Sequence, residues 1–364
     1  MSDALRPGED VLRAWDLANA CIEPIAGGHI NASFRVETPA HGAGRRLFLQ
    51  RLNPIFDPAV HEDIEAVTAH LEARGLLSPR LVRTLDGALW LRDARGAVWR
   101  AQTWIEGLSL MAADSPGRCR EAGALLGRFH AALADLEHAY RSRRPGVHDT
   151  ARHLSHLESA VRDGRGHRLF DQIEPVAHAV LAQARDLDMP AGLPGRHVHG
   201  DPKISNVLFD PDGRALCLVD LDTLARMPLP VELGDALRSW CSPQGEEVEA
   251  EIALDYFEAA LAGYAASAAG QVGEAERQAV PAAVETIAVE LASRFCADAI
   301  EERYFAFDPT RHASAAEHNL QRARAQLALA RSIRARRAEL ERIAARSWAG
   351  GQRSPDKPQR GTTG

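Results

Sequence analysis

The stretch that most constrains this chain is His197–Thr223, HVHGDPKISNVLFDPDGRALCLVDLDT. It gathers His199, Asp201, Lys203 and Asn206 within eight residues. Two short apolar runs, Val207–Phe209 and Ala215–Val219, flank the turn Asp210-Pro211-Asp212-Gly213. Proline presets φ and glycine accepts positive φ, so the pattern predicts a hairpin. The second run delivers Asp220 and, two residues later, Asp222. Such a hairpin sets the loop of Asp201 and Asn206 beside the loop of Asp220.

Phosphoryl transfer from ATP needs this group of residues. One carboxylate accepts the proton of an attacking hydroxyl, while an amide oxygen and a second carboxylate hold Mg²⁺. Protein kinases arrange these as His-x-Asp-x-x-x-x-Asn followed by an Asp on the next hairpin. Asp201 is then the candidate base. Asn206 and Asp220 are the candidate Mg²⁺ ligands, both hard oxygen donors. His199 props the loop rather than reacting.

The whole chain is compatible with an enzyme of this kind. Its 364 residues suffice for two lobes, since single cores stop growing near about 250–300 residues. Hydrophobic content of 45% and charged content of 26% are ordinary for a soluble protein. A net charge of −7 argues against nucleic acid or an acidic membrane as the main partner. The five cysteines are scattered without a Cys-x-x-Cys, and MSDALRPGED has no apolar core of a secretory signal. Both point to reduced thiols and a cytoplasmic location. Of 43 basic residues only Lys203 and Lys357 are lysine. With no Gly-Lys-Ser/Thr, a P-loop is excluded. The motifs of dinucleotide folds, serine hydrolases and zincins are likewise missing. Lys203, two residues past the candidate base, can offer a transferring phosphate a point charge.

In chain order, a helix is expected from about Val11 to Ala20, then strand, glycine turn and strand through Ile22–Val36. Gly27 and Gly28 in that turn would let backbone amides approach phosphates. Arg46–Leu52 reads as a third strand, at the position where kinases carry a phosphate-gripping lysine. Here Gln50 and Arg51 stand instead, and a one-residue slip decides which faces the nucleotide. Glu65, on a helix expected over Val60–Arg74, would pair with that strand-three cation. Leu81–Arg83, Leu89–Leu91 and Val98–Ile105 complete the sheet. Gln102–Gly107, with Trp104 and Ile105, forms the hinge whose backbone would hold adenine. Helices are expected over Gly117–Leu136, Leu154–Val161, Ile173–Ala184, Glu246–Ala265, Glu274–Asp298 and Ala315–Ala345. Asp235, in Leu233-Gly234-Asp235-Ala236, is either a helix N-cap or, the favoured reading, a buried brace accepting catalytic-loop amides. The composition from Gly350 onward predicts a disordered tail.

These residues resemble the aminoglycoside phosphotransferase and choline kinase superfamily, and within it bacterial N-acetylhexosamine 1-kinases. The resemblance rests on GGHINASF (27–34), LFLQRLNPIFDP (47–58), HGDPKISNVLFD (199–210), LVDLDT (218–223), LGDALR (233–238) and SRF…RYF…EHN (293–319). It implies an α+β, protein-kinase-like two-lobe fold, with a small antiparallel β N-lobe and a larger, mainly helical C-lobe. It also implies ATP and Mg²⁺ in the cleft and a sugar hydroxyl poised at Asp201. By position Arg294 and Tyr304 match the sugar contacts of the C-lobe, with His29 and Asn31 above.

The expected organisation is an N-lobe over 1–101, a hinge over 102–107, a C-lobe over 108–348 and a tail over 349–364. The expected activity is phosphorylation of a small-molecule sugar, foremost the anomeric hydroxyl of an N-acetylhexosamine. The sequence leaves open an amino alcohol, aminoglycoside or homoserine-like acceptor, and a nucleotide-binding pseudokinase, since the strand-three lysine is missing. It does not fix the oligomeric state.

Overall fold

Alternation in the N-terminal strands becomes a six-stranded sheet in which every observed pairing is antiparallel. The computed structural model describes residues 6–25, 31–39, 44–142 and 147–351. Helix α1 (Glu9–Ala14) precedes β1 (Cys21–Pro24), β2 (Ala32–Glu37) and β3 (Arg46–Arg51). Helix α2 (Val60–Ala73) leads to β4 (Leu81–Val82), β5 (Leu91–Arg92) and β6 (Val98–Thr103). The order is β1-β2-β3-β6-β4, with β5 also on β6.

Period two sorts the two faces of this sheet. Phe34, Val36, Leu47, Leu49, Trp99 and Ala101 form one apolar cluster with Val11, Trp15 and Leu17 of the α1 region. Ser33, Gln50, Arg100 and Gln102 alternate with them and are also buried. The register Gln50↔Arg100 resolves which strand-three residue looks inward: Gln50 does, and Arg51 falls on the face of Leu47 and Leu49. β6 runs to Thr103, so Gln102 is a strand residue paired with Phe48, and the chain leaves the sheet at Trp104.

After the link, β7 (Leu108–Ser109) pairs with the hairpin rather than with the N-terminal sheet. Helices α3 (Pro116–Ala132), α4 (Thr150–Asp163) and α5 (Phe170–Ala184) follow, then β8 (Gly195–Val198). The hairpin is β9 (Val207–Phe209) and β10 (Ala215–Leu218), and β11 (Ala225–Pro228) pairs with β8. Helices α6 (Leu229–Trp240), α7 (Leu254–Ala268), α8 (Glu274–Glu301), α9 (Ala315–Ala335) and α10 (Arg337–Gly351) complete the chain. This is the α+β kinase-like fold, with a small antiparallel sheet and a mainly helical remainder. Helices α3 and α7 cross so closely that a Cβ on Gly123 would lie 2.0 Å from the Ala260 carbonyl oxygen. Among the described residues no helix is long and apolar enough to cross a membrane.

Several boundaries differ from the sequence expectation. Helix α7 starts at Leu254 rather than Glu246, because Glu246 and Glu247 turn their carboxylates to Arg238, Arg311, His318 and Arg322. The single helix expected over 315–345 breaks at Arg336. The change of direction lets Trp348 pack edge-on against Tyr264, at 5.9 Å between ring centroids. Helix α10 reaches Gly351, so the first residues of the expected tail are helical. Helix α1 spans only Glu9–Ala14, and the chain turns at Asp16, where φ is 58°.

Beneath the inner face of the sheet, α2 presents a fully buried histidine, His61. Its Nδ1 lies 2.7 Å from the Pro58 carbonyl oxygen and its Nε2 has no hydrogen-bond partner. Burial, then the charge of Arg100, lowers its pKa from 6.5 to about 4. The unfolded chain therefore binds a proton there between those values and the folded chain does not, so this contribution to stability is lost as pH falls from 6.5 towards 4. The full effect is on the order of 3 kcal/mol. His61→Gln is expected to flatten that part of the stability–pH curve, as read by urea unfolding at stepped pH.

Candidate active site

The turn after β8 is fixed from beneath by a carboxylate. Glu232, fully buried on α6, accepts the backbone N–H of His199 at 2.8 Å and of Gly200 at 2.9 Å. Burial alone would raise its pKa, but the nearby His130 outweighs that and holds the carboxyl below its usual range. Gly200 sits at φ +85°, and a Cβ there would lie 2.1 Å from the Thr223 carbonyl oxygen. Only glycine fits so close an approach in that conformation. His199 is fully buried; its Nε2 lies 2.9 Å from the Val219 carbonyl oxygen and its Nδ1 accepts the Asp201 N–H at 3.3 Å. The histidine thus fastens the turn to the segment that runs from β10 to Asp220.

Asp201 emerges from this turn with 29% of its side chain exposed. Lys203 Nζ lies 2.6 Å from its Oδ2. Burial would lift the carboxyl, but the ammonium outweighs it and holds Asp201 below its ordinary value. In return Asp201, then Asp220, keeps Lys203 charged despite its own burial. Asn206 spends its amide nitrogen on the Asp201 carbonyl (2.8 Å) and carboxylate (3.3 Å), which leaves its side-chain oxygen as the donor for a cation. The Val219 N–H donates to the Asn206 carbonyl at 2.9 Å and locks the two loops together.

Asp220 opens on the cleft in a left-handed backbone, φ 63° and ψ 58°. The crowded protein around it, then the Asp222 carboxylate, pushes its carboxyl above the ordinary range. A site that crowds carboxylates beside a free amide oxygen suits a hard divalent cation, which removes that penalty. The donors present therefore fit Mg²⁺.

The nucleotide side differs from the sequence expectation. Glu65 does not meet a strand-three cation; it pairs with Arg83 at 3.0 Å and Arg80 at 3.6 Å, which flank β4. Gln50 accepts from Arg100 and donates to Ser33 Oγ at 3.0 Å. The Arg100 guanidinium in turn grips Asp222. Gly27, Gly28 and His29 lie outside the described residues. Trp104 and Ile105 are half-buried in the link, with the Arg35 guanidinium 5.7 Å from the Trp104 ring. Ser109 Oγ donates to the Ser205 carbonyl at 2.7 Å and ties the link to the catalytic loop.

Asp235 is neither an N-cap nor the brace. It lies inside α6, buried, with its Oδ1 accepting from Arg238 at 2.9 Å and 3.2 Å. The brace is Glu232, one helical turn earlier. Glu246 takes the other end of Arg238 at 2.7 Å. Burial raises the Asp235 carboxyl against the pull of Arg238, and it also lies in the fields of His148 and Asp201. His148 faces Glu290 at 3.0 Å. Arg294 lies beside this group, 5.8 Å from the ring centre of Tyr304 and 5.6 Å from that of Phe305. Asn31, expected above the sugar, instead donates to Asp222 at 2.8 Å and accepts the Asn53 N–H at 2.7 Å.

Sequence reasoning missed Glu232, Arg100 and Asp298. Asp298 accepts the amides of Arg303, Tyr304 and Phe305 and so sets the turn that carries Tyr304.

The sheet, the hairpin and the clustered Asp201, Asn206 and Asp220 define a kinase-like phosphotransferase site. The chain belongs to the phosphotransferase enzyme family (APH), whose family model matches residues 22–269. An aminoglycoside phosphotransferase from Alicyclobacillus acidocaldarius is similar at 20% identity, with 95% of this chain and 98% of that chain covered and a TM-score of 0.61. A microcompartment-associated aminopropanol kinase is similar at 14% identity, 92% and 97% coverage and a TM-score of 0.60. An amicoumacin kinase, solved with AMP-PNP, Ca²⁺ and Ami, is similar at 16% identity, 84% and 87% coverage and a TM-score of 0.58. At these identities the likeness is one of fold.

Removing the Glu232 carboxylate leaves two buried amides without an acceptor. Glu232→Ala is expected to lower stability by about 1–3 kcal/mol in urea unfolding, with helix content retained. Glu72→Ala, which removes a surface partner of Arg80, should change it by less than about 1 kcal/mol.

Proposed function

We propose that this chain is an ATP- and Mg²⁺-dependent kinase of a sugar hydroxyl, foremost the anomeric hydroxyl of an N-acetylhexosamine. The observation that carries the acceptor class is the Arg294 guanidinium on the C-lobe side of the cleft, beside carboxylates that already have guanidinium or imidazole partners. Asp235 and Glu246 share Arg238, and Glu290 faces His148. A cationic acceptor such as an aminoglycoside or amino alcohol needs unneutralised carboxylates. Arg294 has no carboxylate partner among the described residues and would repel such an acceptor. With the Tyr304 hydroxyl it offers the donors that an acetamido group and ring hydroxyls accept.

In this reading Asp201 takes the proton of the acceptor hydroxyl and aims its oxygen in line with the transferred phosphorus. Lys203 holds Asp201 ionised and offers a compact positive charge beside the transferring group. Mg²⁺ held by the Asn206 oxygen and Asp220 would neutralise charge on the β- and γ-phosphates. Residues 104–107, which leave the sheet between β6 and β7, suit the adenine ring, and Gln50 contributes through Arg100 rather than by touching phosphate.

The test is ATP turnover with Mg²⁺ against N-acetylglucosamine, N-acetylgalactosamine, glucosamine, galactose, choline and kanamycin. Turnover confined to N-acetylhexosamines, with an acid-labile 1-phosphate product, is the expected result. Turnover only with choline or kanamycin overturns the acceptor class and leaves the family intact. Nucleotide binding without turnover of any acceptor identifies a pseudokinase. Asp201→Asn should cut turnover by about 10²–10⁴-fold while nucleotide affinity is kept. Arg294→Ala should raise the acceptor KM and leave the ATP KM unchanged.

A further inference from the structure

The cation that β3 lacks on its inner face is supplied by its neighbour in the sheet, to a different end. Arg100 stands across the ladder from Gln50, with 1% of its side chain exposed. Its Nε donates to Gln50 Oε1 at 2.9 Å, and one terminal nitrogen donates to the same oxygen. That nitrogen also reaches Asp222 Oδ2 at 2.9 Å, while the other terminal nitrogen binds Oδ1. Four of its five N–H donors are thereby spent. Most of the guanidinium is committed within the protein, with one N–H donor left over.

What it commits to is the metal loop. Asp222 lies two residues beyond Asp220, and its side chain is as deeply buried as that of Arg100. Asn31 Nδ2 adds a hydrogen bond to the same carboxylate at 2.8 Å. On the N-terminal side of Asp220, Val219 is fixed by Asn206 and His199. On the C-terminal side, Thr223 Oγ1 donates to the His199 carbonyl at 2.9 Å. Asp222 is thus the point where the N-terminal sheet takes hold of this loop. A non-glycine residue stays left-handed, as Asp220 does, only where its surroundings over-determine the backbone.

We propose that Arg100 is a positioning residue for the metal site: by clamping Asp222 it fixes Asp220 for Mg²⁺ and couples the N-terminal sheet to the metal loop, in place of a strand-three lysine. The inference deepens the proposed nucleotide site and is independent of the acceptor's identity.

The experiment reads nucleotide binding without acceptor. ATP affinity is measured by calorimetry in EDTA and across a Mg²⁺ titration, for the unaltered protein, Arg100→Ala, Asp222→Ala and the double variant, each checked by thermal melting. Each single variant is expected to raise the half-saturating Mg²⁺ by about 10–100-fold. Metal-free ATP affinity should stay within about two-fold, and the double variant should match the singles, because both remove one contact. An unchanged Mg²⁺ midpoint in both singles overturns the proposal. So does a loss of metal-free ATP affinity in Arg100→Ala alone, which would make Arg100 a direct phosphate ligand. If the alanine variants do not fold, Arg100→Lys and Asp222→Asn serve. Lysine keeps the charge but not the fork, so the same Mg²⁺ shift is expected. Failure of the unaltered protein to bind nucleotide would instead refute the proposed nucleotide site itself.

Discussion

Two hydrogen bonds from consecutive backbone amides to the buried Glu232 carboxylate hold the catalytic turn in place. A charge sealed in a protein interior is tolerated only when its oxygens are fully used. Glu232 uses both, and His130 Nε2 lies 3.4 Å away. The rest of the site follows from that anchor. The turn it fixes permits only glycine at position 200, and it directs His199 against the end of β10. Asp201, Asn206 and Asp220 then lie close together beside it. Helix α6 supplies this anchor and, one turn later, the Asp235–Arg238 pair. One helix therefore holds both the turn and the charged group beside it.

The electrostatics of the cleft have a division of labour. Three carboxylates near the transfer point, Asp201, Asp220 and Asp222, are each treated differently. Lys203 keeps Asp201 ionised, Arg100 neutralises Asp222 outright, and Asp220 is left with its charge opposed by its neighbours. Only the last is placed to gain from an incoming cation. Farther along α6, Asp235 and Glu246 share Arg238, and Glu290 faces His148.

Much of this was legible in the sequence because it is local. Asp201, Lys203, Asn206 and the Pro-Asp-Gly hairpin lie within a few residues of one another, and turn chemistry is written in residue type. The helices of the C-lobe were legible from apolar spacing, apart from ends set by distant partners. Helix α7 starts late because Glu246 and Glu247 find arginines on α6, on α9 and in the turn before it. What the sequence hid were pairings fixed by register and by long separations. Whether Gln50 or Arg51 faces inward turns on a one-residue alignment of β3 with β6. Arg100 and Asp222 are 122 residues apart. Asp235 drew attention because of its place in LGDALR, yet Glu232, three residues earlier, carries the load that it was expected to carry. Glu65 was placed on the right helix and paired with the wrong strand.

The turn after α8 has a further consequence. Asp298 closes it by accepting three successive amides, and Asn319 Nδ2 secures the same carboxylate at 2.9 Å. The aromatic wall of Tyr304 and Phe305, with Arg294 over it, is therefore held by the chain's own contacts. Little chain entropy remains to be lost there on binding. Under the proposed reading, an acceptor meeting this wall would be selected by its outline rather than by a closing motion.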